Sequence, residues 1–238
     1  MQRGGEHPVW PSTHLPEVVL FDVNETLSDL APLEERFDAV GAPAGTLRLW
    51  FASVLRDGIA LAAAGATAPF AEVAAETLRG VLRPLTADVE AAVEHVMTGF
   101  STLGVHPDVA PGVESLTALG LRLATLSNGA ASVAQGLLDR ARLRSQFERL
   151  LSVEDAGVWK PAPGAYRHGL TACGVTASEA MLVAVHPWDV DGAGRAGLAT
   201  AWLNRDGVDY PAFFRPADVE IRSLPELADV LAPRGRAG

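Results

Sequence analysis

Cysteine is almost absent. Cys173 is the only one in 238 residues, which excludes an internal disulfide and any zinc centre built on cysteines. Positive charge is scarce as well: 19 Lys and Arg stand against 29 Asp and Glu, a formal net charge of −10, and no basic stripe runs along the chain. Phosphate backbones and anionic lipid are held by clustered cations, so neither nucleic acid nor a membrane is an expected partner. Long apolar runs are also missing. The uncharged stretch Gly58 to Ala71 has 14 residues and is broken by Pro69, whereas a bilayer span takes about 20. The first 16 residues carry three prolines and no apolar stretch of the kind a secretory signal needs. They read as a loose extension, and the chain as a cytoplasmic protein.

What is present is globular. Hydrophobic residues make up 48% and charged residues 20%, enough to bury a core in one or two domains. Val18-Val19-Leu20-Phe21 reads as a parallel strand covered on both faces. From about Leu30 to Leu103 the pattern is helical, with examples at Leu47 to Leu61, Pro69 to Leu82 and Thr86 to Phe100, the last read as capped by Thr86. Alternation then returns. A helix is expected over Val113 to Leu119 after Pro111-Gly112, and a strand over Leu121 to Leu126. Ala131 to Arg140 reads as helix, Leu150 to Val153 as strand, and Lys160-Pro161 as the opening of another helix. Met181 to Val185 reads as strand, Asp189 to Ala196 as helix and Ala199 to Leu203 as strand. Strand–helix alternation implies a parallel sheet wrapped by helices. The fold class is therefore α/β, a doubly wound, Rossmann-like core (17–29 and 104–238) with an inserted helical cap (30–103), preceded by the extension at 1–16.

Ligands of open parallel sheets bind at the carboxyl ends of the strands. Asp22, Ser127-Asn128, Lys160 and Asp189 fall at such ends or just beyond them. A carboxylate kept ionised by an ammonium is a nucleophile, and a hydroxyl and an amide beside it can hold an anion. Each residue has a plainer reading: Asp22 and Asp189 as helix caps, Ser127 and Asn128 as turn residues, Lys160 as a solvated surface lysine. Spacing alone leads to an anion-handling α/β enzyme and stops there.

Phe21-Asp22-Val23-Asn24-Glu25-Thr26-Leu27, Leu126-Ser127-Asn128-Gly129, Leu151-Ser152-Val153 with Lys160-Pro161, and Trp188-Asp189 resemble, in order, the four motifs of the haloacid dehalogenase superfamily. Ser127-Asn128-Gly129, Leu150 to Glu154 and Trp202-Leu203-Asn204-Arg205 are similar to its type II 2-haloacid dehalogenases in particular. The resemblance implies that Asp22 attacks the halogen-bearing carbon to form an ester, that Lys160 keeps it ionised and that Thr26 supports it. It implies that Ser127 and Asn128 hold the substrate carboxylate and the halide, with Val23 and Asn24 beside them. Asp189 would assist hydrolysis of the ester. No cofactor is implied; the partner is a small halogenated carboxylate, and a homodimer is expected because dimers are common in that family.

Most of the superfamily are Mg-dependent phosphatases, and two departures from their pattern matter. Their second aspartate, the general acid, is Asn24 here, and the metal-binding Gly-Asp of the fourth motif is Ala184-Val185; valine offers Mg²⁺ no oxygen ligand. No metal is expected. Two departures from the dehalogenase pattern stand beside these. Phe51 replaces the cap arginine next to Trp50, leaving Arg56 as the substitute cation of the cap. Ala184 and His186 replace a Ser and an Asn that position the hydrolytic water, and His186 can take that role because imidazole titrates near neutrality. Trp50, Phe51 and Trp188 are expected to wall a dry pocket, and Trp159 and Trp202 to pack in the core. The function expected is a metal-independent dehalogenase of short 2-haloalkanoic acids. A Mg-dependent small-molecule phosphatase and a degenerate, carboxylate- or partner-binding domain are the alternatives.

Overall fold

The computed structural model describes residues 14–232; most of the expected extension, residues 1–13, lies outside the described residues. The chain begins with β1 (Val18–Phe21), all four residues of which are buried. Four helices follow it: α1 (Leu33–Ala39), α2 (Thr46–Ala63), α3 (Phe70–Leu82) and α4 (Val89–Ser101). There follow α5 (Val109–Ala118), β2 (Arg122–Ser127), α6 (Ala131–Arg140), β3 (Phe147–Ser152), α7 (Val153–Ala156) and α8 (Pro163–Cys173). The chain continues with β4 (Ala180–Ala184), α9 (Pro187–Arg195), β5 (Ala199–Leu203), β6 (Val219–Ile221) and α10 (Leu224–Leu231).

The strands form one six-stranded sheet in the order β3-β2-β1-β4-β5-β6, and every neighbouring pair is parallel. The chain builds outward from β1 to β2 and β3, then returns to lay β4 on the other side of β1. That reversal opens a crevice at the carboxyl end of β1, where Asp22 stands. Successive strand side chains alternate between the faces. Val18, Leu20, Ala124, Leu126, Leu182 and Ala184 join residues of α8 and α9 in one core, which runs on into the helical block through Phe51, Phe70 and Trp159. Val19, Phe21, Leu123, Met181 and Val183 join α5, α6 and α10 in the other. The architecture is an α/β core with an inserted helical cap. No helix among the described residues is long and apolar enough to cross a membrane.

Several element boundaries differ from the sequence expectation. Asp88, not Thr86, caps α4, accepting from the Ala91 N–H at 3.1 Å. Helix α5 starts at Val109, so Pro111 lies inside its first turn, where a missing N–H costs no intrahelical bond. Lys160-Pro161 is a cis peptide ahead of α8 rather than its first turn. Helix α9 starts at Pro187, a residue suited to the first helical position, so Asp189 lies within its first turn instead of capping it. Strand β6 and helix α10 extend a sheet expected to end at β5.

Candidate active site

Asp22 follows β1 directly, and its N–H donates to the Val183 carbonyl at 3.0 Å. Its carboxylate is 4% exposed and engaged on both oxygens. Oδ1 accepts from Lys160 Nζ at 3.0 Å. Oδ2 accepts from Thr26 Oγ1 at 2.7 Å and lies 3.2 Å from His186 Nδ1. Thr26 in turn accepts the Val185 N–H at 3.1 Å, which fixes its hydroxyl between β1 and β4. Lys160 is the only lysine in the sequence, and its side chain is completely buried. It also donates to Asp189 Oδ2 at 2.6 Å, while the Tyr166 hydroxyl donates to Asp189 Oδ1 at 2.6 Å. Tyr166 comes this close because Gly192, one turn beyond Asp189 on α9, has no β-carbon; one built there would collide with the phenol and with Pro161.

The second imidazole nitrogen of His186, Nε2, lies 2.9 Å from Glu25 Oε2. The ring packs against Phe51 from the cap, at a centroid distance of 6.4 Å, and against Trp188, at 5.1 Å. An open cleft of about 520 Å³ reaches this pair from outside. Glu25, His186, Phe51, Arg48 and Trp202 are among its lining residues; Asp22 is not, and lies behind the His186 ring it bonds.

Burial pushes the Asp22 carboxyl up, but the Lys160 charge and the hydrogen bonds from His186 and Thr26 outweigh it and hold Asp22 well below the usual carboxylate range. Burial of Lys160 disfavours its cation, yet Asp189 and Asp22 raise its pKa. Asp189 is raised by burial against the pull of Lys160. Burial of His186 likewise disfavours its cation, but bonding to Asp22 and Glu25 prevails and lifts the imidazole to about 9. Tyr166 is pushed well above its ordinary value, chiefly by burial. The centre is thus an ionised carboxylate facing two cations, one of them titratable.

Asp22, Thr26, Lys160, Asp189 and His186 converge as expected from the sequence. Ser127 and Asn128 are buried at the end of β2. Asn128 brackets the Lys160 peptide, accepting its N–H at 2.9 Å and donating to its carbonyl at 3.4 Å, so much of its amide orients Lys160. Ser127 Oγ accepts from the Gly129 N–H at 2.9 Å, leaving its own proton to donate. Asn24 is buried beside Gly129.

Two expectations need correction. Arg56 does not reach the crevice: it is exposed and bonded to Asp57, because five residues on from Phe51 turns it about 140° around the helix. The cation that α2 offers to the cleft is Arg48, one turn before Phe51 and on the same face. The Val23 side chain packs into the apolar core, so the anion-holding role expected of this residue falls to its backbone N–H, just after Asp22. Trp50 does not wall the pocket; it is buried in the cap against Phe37 and Phe100, and its indole N–H is spent on the Ala74 carbonyl. Two members of the network carried no role in the sequence reading. Glu25 sat unremarked inside the first motif, and Tyr166 was not singled out at all.

With this geometry in view, the family comparison is decisive: the model for haloacid dehalogenase-like hydrolases matches residues 16–197. The chain belongs to that family. Among characterised proteins, this haloacid dehalogenase-like hydrolase is 31% identical to (S)-2-haloacid dehalogenase 4A of Burkholderia cepacia, over 90% of this chain and 94% of the relative. It is 26% identical to haloacetate dehalogenase H-2 of Moraxella sp. (strain B), over 91% and 98%. Among solved structures, a dehalogenase determined with an intermediate complex superposes with a TM-score of 0.86 at 30% identity, covering 92% of this chain and 98% of that one.

Within this hydrolase the donor set does not suit a divalent ion. Both carboxylates at the centre, Asp22 and Asp189, are bound to one ammonium, Asn24 and Val185 stand at the positions that the resemblance gives to a phosphatase's acids, and no cluster of three or more His, Cys, Asp or Glu among the described residues is arranged to hold a metal.

Proposed function

We propose that this chain is a metal-independent 2-haloacid dehalogenase that converts short 2-haloalkanoates to 2-hydroxy acids and halide. The observation that carries the reading is a buried Asp22 carboxylate, kept ionised by Lys160, in a site without the acids of a phosphatase. An Asp22 oxygen attacks C2 in line; the carbon–halogen bond breaks as the ester forms, and the halide leaves with the bonding pair, inverting the centre. Phe51 and Trp188 exclude water, which leaves the nucleophile less solvated. The Ser127 hydroxyl and the remaining Asn128 N–H supply donors for the substrate carboxylate and the departing halide, with Asn24 beside them. Arg48 draws the anionic substrate toward the cap. The (S)-2-haloacid and haloacetate relatives point to the same substrate class.

Hydrolysis then returns Asp22. In the free enzyme His186 is a cation at neutral pH. Esterification removes the Asp22 charge, so the imidazole loses one of the groups that kept it protonated and becomes a base. The Nδ1 proton passes to solvent while the Nε2–H stays hydrogen-bonded to Glu25, so the freed Nδ1 takes a proton from water as that water adds to the Asp22 carbonyl carbon. Collapse expels the 2-hydroxy acid as its alkoxide, which takes that proton back, and the Asp22 acid left behind gives its own proton to His186, restoring the ionised pair. Lys160, steadied by Asp189 and Tyr166, neutralises charge on the Asp22 oxygens in both halves. The same reading takes 30–103 as the cap and 17–29 with 104–238 as the core. It also takes the enzyme as a cytoplasmic homodimer, the location expected from the composition and the dimer from the resemblance.

Halide release from chloro-, bromo- and fluoro-substituted acetate and from each enantiomer of the 2-halopropionates, with EDTA present, tests the function. Release is expected with EDTA and is expected to vanish in Asp22→Ala. Full release by Asp22→Ala, or its loss in EDTA, would overturn the proposal.

A further inference from the structure

We propose that Arg205 is a positioning residue for the hydrolytic pair His186 and Glu25, acting through the backbone of the loop that follows the nucleophile. The inference rests on the dehalogenase reading, whose second half it deepens; no step derived above uses Arg205.

Glu25 has a backbone φ of 61°, in the left-handed region that a β-carbon disfavours. Its side chain is 42% exposed, so the direction of its carboxylate depends on how its backbone is held. Two donors hold it. His106 Nε2 donates to the Glu25 carbonyl at 3.0 Å, and Arg205 Nη1 donates to the same oxygen at 3.3 Å. Arg205 Nη2 donates to the next carbonyl, that of Thr26, at 2.9 Å. The guanidinium is itself immobilised: Asp108 receives Nε at 3.0 Å and Nη2 at 3.1 Å, and also accepts the Leu224 N–H at 3.0 Å.

The planar fork therefore spans a carboxylate fixed near the start of α10 and two successive carbonyls of the catalytic loop. An ammonium, a single point of charge, cannot match that geometry. The two residues whose carbonyls are clamped are those whose side chains serve the centre: Glu25 reaches His186, and Thr26 reaches Asp22. Of these, Glu25 has the freer side chain. Loosening the clamp turns Glu25 away from His186 Nε2 first, while Thr26 keeps its bonds to Asp22 and Val185. Ester hydrolysis should then suffer more than ester formation.

Rapid-quench halide release, intact-protein mass and the NMR titration of the His186 imidazole, all in the full-length protein, test this in Arg205→Gln, with Arg205→Lys as the conservative variant. The imidazole faces Asp22, Glu25, Phe51 and Trp188, so its titration reports the Glu25 contact. The expected result is a burst of about one halide per enzyme near the wild-type rate, then turnover at least tenfold slower, an accumulated ester, and a His186 titration at least one pH unit lower; Arg205→Lys falls between. Equal slowing of both phases with an unchanged titration would show a merely structural residue and overturn the proposal. If Arg205→Gln does not fold, Asp108→Asn is read by the same criteria. If the wild type releases no halide while the titration still falls in the variant, the positioning stands and the dehalogenase reading fails. If the wild type turns over and the variant matches it, the positioning fails alone. If neither halide release nor a shifted titration is seen, both fail.

Discussion

Lys160 lies closer to Asp189 than to the nucleophile: Nζ is 2.6 Å from Asp189 Oδ2 and 3.0 Å from Asp22 Oδ1. Asp189 fixes the ammonium, and Asp22 shares it. A nucleophile needs this arrangement, because a cation held by another group preserves the charge on Asp22 without committing both of its oxygens. Tyr166 completes the arrangement by occupying the other oxygen of Asp189.

Replacing Lys160 by Met leaves two buried carboxylates without a counter-charge. Halide release should fall on the order of 10²- to 10³-fold. Folding should weaken by about 3–5 kcal/mol, the cost of breaking a buried pair, measured by urea unfolding. Adding Asp22→Asn and Asp189→Asn should recover most of the stability and none of the activity. A Lys160→Met enzyme of wild-type stability would mean that the ammonium does not counter those charges.

The same residue provides a reporter of unfolding. Lys160 is the only lysine and is fully buried, so an amine-acylating reagent should leave it unmodified in the native protein. Peptide mass spectrometry should find Lys160 modified only as denaturant unfolds the chain. Rapid labelling of Lys160 in the native protein would contradict its enclosure.

His186 gives the site a pH dependence with a definite sign. Its pKa is raised to about 9 in the folded protein, above the unfolded value of about 6.5. Its stabilising contribution is therefore complete below about 6.5 and lost as pH rises through about 9. His186→Asn should flatten that part of the stability–pH curve. It should also slow ester hydrolysis about 10²- to 10⁴-fold while leaving the first halide release in place, seen as a trapped ester by mass spectrometry. Equal loss of both steps would argue against a role confined to water.

Arg48 and Arg56 separate the corrected cap cation from the expected one. Arg48→Ala should raise KM for a haloacid several-fold with little change in kcat, because it removes attraction outside the reacting atoms. Arg56→Ala, which breaks only the exposed pair with Asp57, should leave both parameters alone. Steady-state kinetics of the two variants decides between them.

The sheet, the cap and the converging side chains were legible because each leaves a local trace. Val18 to Phe21 is a strand bounded by an acid, and Asp22, Ser127, Asp189 and Lys160 lie at strand ends or just beyond them. Contacts that depend on rotation about a helix were not. Arg56 was misplaced because its distance was counted in helical turns without the face those turns lead to, and Trp50 because an indole N–H looks free until its acceptor, Ala74, is seen. Glu25 and Tyr166 were missed for a related reason: their partners, His186 and Asp189, are 161 and 23 residues away. Strand β6 is only three residues long, too short for alternation to show.

Gly58 offers a test of how the cap is joined to the catalytic lysine. The Trp159 ring lies directly over Gly58 of α2, where any β-carbon would overlap it. The indole N–H donates to the Ala68 carbonyl at 2.9 Å. Trp159 immediately precedes Lys160, so the segment carrying the lysine is seated in the cap by that ring. Gly58→Ala should force the ring outward, weaken the Ala68 bond and carry the displacement into the Lys160–Asp22 contact. The expected cost is about 1–3 kcal/mol of stability, with a fall in kcat larger than any change in KM. Gly80→Ala on α3 is the control: nothing lies within 4 Å of its β-carbon position, and helix propensity alone should make it more stable by about 0.5–1 kcal/mol. Urea unfolding and steady-state kinetics of the two variants are the measurement. If Gly58→Ala matched Gly80→Ala in both, Trp159 would not be the joint between cap and lysine.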